Sequence, residues 1–314
     1  MVPNIAWPLG KDFAFTIFDD PDFDSVENGA TLYSFLNDLG FRTTKAVWPC
    51  QGEHEPRVGG ATCEDEQYLK WILNLQEQGF EVALHNVTYH TSTRDQTLRG
   101  MERFFRLFGH YPQSLANHTG CLESIYWGDE RLSGFHKHMY NALYLLSGKI
   151  KASSEGHIEN SPLFWGDLCK EKIKYVRNFV FADINTLRAC PVMPYHDPAR
   201  PYVNYWFAAS EGPTVGAFNR TINEDNQDRL AAEGGACIMY THFASGFLEN
   251  GKINKRFRYL MERIRRMNGW FVPVHTLLDF ILEANGHCDI NWAERNSIER
   301  KWFWHKVFHT RGRS

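Results

Sequence analysis

No stretch of this 314-residue chain reaches the roughly 18 uninterrupted apolar residues that a membrane-spanning helix needs. No C-x-x-C pair occurs either. The seven cysteines (50, 63, 121, 169, 190, 237 and 288) are odd in number and scattered, which argues against a disulfide scaffold and a cysteine-built zinc site. Reduced thiols suit a cytoplasmic protein, and Met1 to Lys11 has neither the basic start nor the apolar core of a secretory signal. A cytoplasmic location is therefore expected. The net charge is small, −3, so the molecule as a whole does not advertise a polyanionic partner. Internal repeats and low-complexity segments are absent as well.

What is present is apolar and aromatic mass, 43% hydrophobic and 15% aromatic residues, enough for one large core. Phe13 to Phe18 is an apolar run that ends in Asp19-Asp20, followed at once by Pro21-Asp22-Phe23-Asp24. Strand-forming residues that deliver two carboxylates at their C-terminal end present chemistry as α/β enzymes do, since sites assemble on the loops beyond parallel strands. Adjacent carboxylates repel unless something separates their roles, and a bound cation does so: one ligates, the other stays free as a base.

Beyond this strand, the pattern predicts a helix over Ser25 to Gly40, a strand over Phe41 to Trp48 and an exposed loop over Gln51 to Thr62. Tyr68, Trp71, Ile72 and Leu75 mark a second helix stopped by Gly79, and Phe80 to Leu84 a strand running into His85. Leu98 to Phe108 reads as a third helix, and Ser114-Leu115-Ala116 as a short strand before Asn117-His118. The middle, 121–220, is irregular, rich in prolines and aromatics, with strands predicted at Ile173 to Val180 and Val203 to Ala208. Later come a helix at Thr221 to Ala232, a strand at Ala236 to Tyr240 ending in Thr241-His242, a helix around Phe257 to Ile264, a strand at Phe271 to Val274 and a helix at Leu277 to Leu282. Strands alternating with helices imply a mainly parallel sheet, open or closed.

Three strand ends thus carry Asp19-Asp20, His85 with His90, and His242. Two imidazoles and a carboxylate with open positions form a recurring catalytic metal site. At this point the chain resembles the polysaccharide deacetylase family, the NodB-homology deacetylases. The resemblance rests on Thr16 to Asp20 as a Thr-x-Phe-Asp-Asp strand end, on Gly79 to Leu84 (Gly-Phe-Glu-Val-Ala-Leu) leading into a His pair, on the late strand ending in His242, and on Gly269 to Asp279 as a closing unit. It covers most of 13–120 and 235–283.

The resemblance implies an irregular (β/α)7 barrel as a single domain over 1–290, with insertions in 121–220 and a basic helix or tail over 291–314. It implies a divalent cation, Zn²⁺ first and Co, Ni, Mn or Fe as alternatives, held by Asp20, His85 and His90. Asp19 would be the base and His242 the acid in hydrolysis of an N-acetyl group on a sugar. The His pair here is spaced i, i+5, with Asn86 after the first His, where the family has i, i+4. The family's Arg-x-Pro segment, whose Arg orients the base, has Leu115 to Thr119 in its place. Asn117 or His118 is left to orient Asp19, or His118 to replace a ligand. Trp165 with Asp167 is the candidate pocket segment, and His196-Asp197 a weaker one.

Lys252 to Arg266 holds seven Lys or Arg against Glu262, a net of +6, and Asn291 to Ser314 holds six against Glu294 and Glu299, a net of +4. The first segment reads as the solvated face of an amphipathic helix rather than a nucleic-acid surface. Attraction of a sugar-nucleotide or lipid-linked sugar is a further reading of the same charge. Two other functions compete with deacetylation: a non-hydrolytic member that binds a glycan, and another hydrolase on the barrel using Asp19 and a second carboxylate on a glycosidic bond.

Overall fold

The computed structural model of the chain describes residues 5–146 and 153–309, so Arg311 and Arg313 of the basic tail, and Met1 to Asn4, lie outside the described residues. Elements alternate from the start: β1 (Phe13–Asp19), α1 (Val26–Asp38), β2 (Thr44–Val47), α2 (Glu66–Glu77), β3 (Glu81–Leu84), α3 (Arg94–Phe108) and β4 (Ser114–Leu115). The irregular middle supplies α4 (Gly134–Leu146), α5 (Gly166–Lys172), β5 (Tyr175–Phe181), α6 (Thr186–Ala189), β6 (Tyr205–Glu211) and α7 (Val215–Thr221). Next come α8 (Glu224–Ala232), β7 (Ala236–Thr241), a small hairpin β8 (Leu248–Glu249) and β9 (Lys252–Ile253), α9 (Lys255–Arg266), β10 (Gly269–Trp270), α10 (Val274–Asn285) and α11 (Trp292–His309). The strand expected at Phe271 to Val274 sits two residues earlier, because Val274 already opens α10.

Local chemistry sets the helix ends. Ser25 and Asn28 at the start of α1, and Thr93 and Gln96 at the start of α3, bond reciprocally as capping boxes, while the Asp65 carboxylate caps α2. Gly109 ends α3 in the left-handed region at φ 78°, a conformation that costs a residue without Cβ little.

Strands β1 to β7 are all parallel and neighbour one another in chain order. Strand β1 then pairs with β7 from Ala14↔Ala236 to Asp19↔Thr241, closing a seven-stranded barrel. The middle third is therefore part of the barrel, since it contributes β5 and β6. Strand β10 adds to the N-terminal end of β1 at Phe13↔Gly269. Phe13, Phe15 and Phe18 are fully buried, and each such ring contributes roughly 1.5–3 kcal/mol of transfer free energy.

Helix α9 buries Phe257, Leu260, Met261 and Ile264. Much of its basic face is matched by acids: Arg256 pairs with Glu224, Arg263 with Asp228 and Arg258 with Glu262. Helix α11 packs Trp302 against Phe179 of β5, and Glu299 accepts from both the backbone N–H and the hydroxyl of Ser133. No described helix is long and apolar enough to cross a membrane.

Candidate active site

Alternation along β1 sends its two terminal carboxylates to opposite faces. Asp19 leaves the barrel interior. Its Oδ2 accepts from Lys45 Nζ at 2.7 Å and Tyr33 Oη at 3.1 Å, and its Oδ1 from the Phe243 amide at 2.8 Å. Lys45, fully buried, also pairs with Asp24 at 2.8 Å, and Tyr68 donates to the same Asp24 oxygen at 3.0 Å. Burial, together with the neighbouring Asp24 charge, pushes the Asp19 carboxyl up to about 6 against the pull of Lys45.

Asp20 turns inward. Arg177 of β5 grips it bidentately, Nη1 to Oδ1 at 2.9 Å and Nη2 to Oδ2 at 2.6 Å. The guanidinium is itself fixed over the rings of Tyr240 at 4.4 Å and Phe18 at 5.0 Å. Burial works to raise the Asp20 carboxyl, but Arg177 and His85 outweigh it and hold the group below its ordinary range. It stands as a carboxylate.

Two residues on, Asp22 meets the imidazoles from β3 and β4. Its Oδ1 lies 3.4 Å from His85 Nε2 and 3.5 Å from His118 Nδ1, and those two nitrogens are 3.0 Å apart. This Oδ1 is buried without a hydrogen-bond partner, as is His85 Nδ1, which stands 3.9 Å from Asp20 Oδ2. Burial alone would raise Asp22; His118, His85 and His242 around it carry it well below the usual carboxylate range. Two imidazoles and a carboxylate with a free lone pair fit a divalent cation of the zinc kind. Trp48, fully buried, packs edge-on to His118 at 5.3 Å and beside His85 at 5.7 Å, which fixes both rings.

The loops that carry these ligands are tied together. Asn86 adopts φ 55°, a left-handed conformation that Asn tolerates better than most residues. Its Nδ2 donates to Glu123 Oε1 at 2.7 Å and its Oδ1 accepts the His118 amide at 3.0 Å. Burial raises the Glu123 carboxyl to about 7. Asn117 acts as a backbone mimic, exchanging two hydrogen bonds with Ile125. Opposite Asp20, His242 places Nδ1 3.0 Å from the Pro213 carbonyl, so that nitrogen carries a proton. Its Nε2 faces Tyr240 Oη at 3.1 Å and Asp22 Oδ2 at 3.4 Å.

A cavity of about 170 Å³ opens on this cluster, lined also by Thr119, Trp127, Arg131, Glu211, Trp302 and Lys306. A larger hollow of about 570 Å³, beside Lys11, Asp38 and Arg265, has no convergent ligand set.

Several residues singled out in the sequence are placed elsewhere. The metal set Asp20, His85 and His90 does not come together. His90 Nε2 bonds the His54 carbonyl, and the ring lines a separate hollow with Cys50 and His54. The extra residue in the i, i+5 spacing is absorbed by turning the segment outward at Asn86, and His118 stands beside His85 in its place. Asp19, expected as the base, leaves the barrel interior, and its neighbour Asp20 points inward, because β1 enters the barrel in the opposite phase. No arginine stands in the 115–119 segment; the arginine that grips Asp20 is Arg177, 157 residues from it. Trp165 is buried and donates to the Glu123 carbonyl, while Asp167 pairs with Arg94 at the surface, so neither lines the cavity. Asp197 is bound by Arg200 and Arg295. His196 joins His287 and Asp289 in a second three-ligand group, where one oxygen of Asp289, itself exposed, already bonds both imidazoles. A lone cation in an otherwise apolar strand, Lys45 or Arg177, was the readable signal for the buried partners.

Compared by sequence, the chain matches no protein-family model and no curated protein. Compared by structure, it is similar to a protein from Mycobacterium smegmatis described as a polysaccharide deacetylase, with a TM-score of 0.51 and 11% identity, over 91% of this chain and 96% of that one. It is similar to the Puue allantoinase at a TM-score of 0.51 and 10% identity, over 88% of this chain and 92% of that one. The chain has a (β/α)7 barrel fold, which it shares with these two structures.

Proposed function

We propose that the protein is a metal-dependent hydrolase that removes an N-acetyl group from a small carbohydrate. Asp22, His85 and His118 would hold the cation. A cation there would polarise the acyl carbonyl and make water a better nucleophile. Asp20, kept ionised and aimed by Arg177, takes the proton from the attacking water. His242 Nε2, oriented through Nδ1 by the Pro213 carbonyl, passes a proton to the departing nitrogen. The C–N bond breaks, giving acetate and a free amine.

The observation that carries this reading is the convergence of three ligand atoms, with Asp22 Oδ1 unsatisfied, between an arginine-held carboxylate and a histidine. A glycan-binding protein without turnover has no use for a bidentate clamp on Asp20, so Arg177 favours the enzyme. The test measures metal content together with acetate release from a panel of N-acetylated sugars. Asp22→Asn and His118→Ala should lose metal and turnover, whereas Asp20→Asn should keep metal and lose turnover. A zinc-loaded wild type that releases acetate from none of the panel sinks the reading.

A further inference from the structure

Arg131 has no role in the chemistry just described, yet it lines the same cavity. It ends a short 3₁₀ turn, Gly128–Arg131, and is only 9% exposed. Its guanidinium lies between two indoles, 4.1 Å from the ring of Trp127 and 4.6 Å from that of Trp302 on α11. Its nitrogens reach two carbonyls at the long distance of 3.3 Å, Nε to Gly128 and Nη1 to Asn178. Among the described residues no carboxylate pairs with it.

Arginines elsewhere in the interior follow another rule. Arg177 holds Asp20, and Arg200 holds Asp197. Taking a guanidinium out of water without a counter-charge is costly, and stacking on indoles returns only part of that cost. A buried, planar, uncompensated fork that faces a cavity is the usual device for recognising a carboxylate or phosphate. The cavity also holds acids, but Asp20 is paired with Arg177, and Asp22 lies among His85, His118 and His242. Lys306 lines the cavity, and burial together with the Arg131 charge lowers its ammonium below the ordinary range. Glu211, the acid on that wall, is paired with His305 at 2.9 Å. At about 170 Å³ the cavity is also smaller than the roughly 300–1,000 Å³ of drug-sized ligand pockets, which suits one sugar unit.

We propose that Arg131 is an anion subsite, binding a carboxylate or phosphate carried by the substrate, and that the enzyme selects acidic over neutral N-acetylated sugars. The proposal rests on the hydrolase reading of the same cavity. Titration calorimetry on the zinc-loaded protein, with three sugars that differ at one carbon, separates the cases: N-acetylglucosamine, its C6 uronic acid and its 6-phosphate. The wild type should bind at least one acidic sugar about tenfold or more tighter than the neutral one, as a charge-assisted hydrogen bond predicts. The tighter of the two identifies carboxylate or phosphate. In Arg131→Gln the ratio of acidic to neutral affinity should fall to about 1, and Arg131→Lys should recover part of it.

Equal binding of all three sugars by the wild type overturns the subsite. So does an equal loss for all three in Arg131→Gln, which would make the residue a strut between Trp127 and Trp302. Should Arg131→Gln fail to fold, the wild-type ratio and Arg131→Lys still decide. Charge-selective binding without acetate release from any of the sugars leaves the subsite standing and removes the hydrolase reading. Acetate release with charge-blind binding does the reverse.

Discussion

Two polar clusters begin from adjacent residues and are built on opposite principles. Behind β1, Asp19 and Asp24 share Lys45, Tyr33, Tyr68 and the Phe243 amide, and both acids and the lysine are engaged. In front of β1, Asp22 Oδ1 and His85 Nδ1 are equally buried and have no hydrogen-bond partner. Native interiors saturate most of their polar groups, so an unsatisfied Asp22 Oδ1 beside two imidazole nitrogens is what the proposed cation would engage. Counting charged residues would not separate the clusters, because each holds two carboxylates. Counting satisfied lone pairs does.

The sharpest way to break this contrast is Asp20→Asn. Turnover of the proposed reaction should fall by about 10²–10⁴ in kcat, the range for loss of a general base, with metal content unchanged by plasma mass spectrometry. Next is Lys45→Met, which strands two carboxylates in the closed cluster. Urea denaturation should register a loss of about 3–5 kcal/mol, with metal content preserved at temperatures where the protein stays folded. Loss of the metal at full stability would merge the two clusters into one.

Glu123 gives a pH-dependent test between them. Burial raises it from 4.5 to about 7, so the folded state favours the protonated acid. Its contribution is complete below about pH 4.5 and disappears as pH rises through 7. Relative to Glu123→Gln, the wild type should therefore lose on the order of 3 kcal/mol of stability between pH 4.5 and 8. A flat difference across that range would mean that Glu123 stays ionised. The smallest effect belongs to His90→Ala, within about 0.5 kcal/mol in stability and without consequence for metal content, as expected of a residue outside both clusters.

Much of the barrel was legible. The apolar run before Asp19-Asp20, the helix stops at Gly79 and Gly109 and the strand ends at His85 and His242 carry local signals that tertiary packing did not override. What was not legible was phase and partnership. An apolar strand buried on both faces has no polar side to announce which of two neighbouring aspartates points inward, and a slip of one residue exchanges the proposed base with the core acid. Asp22 carries no sequence signal of its own that sets it apart from the acids beside it. Arg177 and Arg131 reach the cavity from the irregular middle third, where sequence distance conceals proximity; only the closed sheet brings residue 177 to residue 20.

That closure also sets an order of events during synthesis. Strand β1 emerges first, but its ladder partner spans residues 236–241, the Asp20 amide bonds the Thr241 carbonyl, and Asp19 waits for the amide of Phe243. Until residues 236–243 have emerged, this apolar strand lacks one of its ladder partners and Asp19 lacks the Phe243 amide. An aromatic segment with an open edge is what chaperones hold. The carboxylate pair thus takes its final environment only when the two ends of the barrel have found each other.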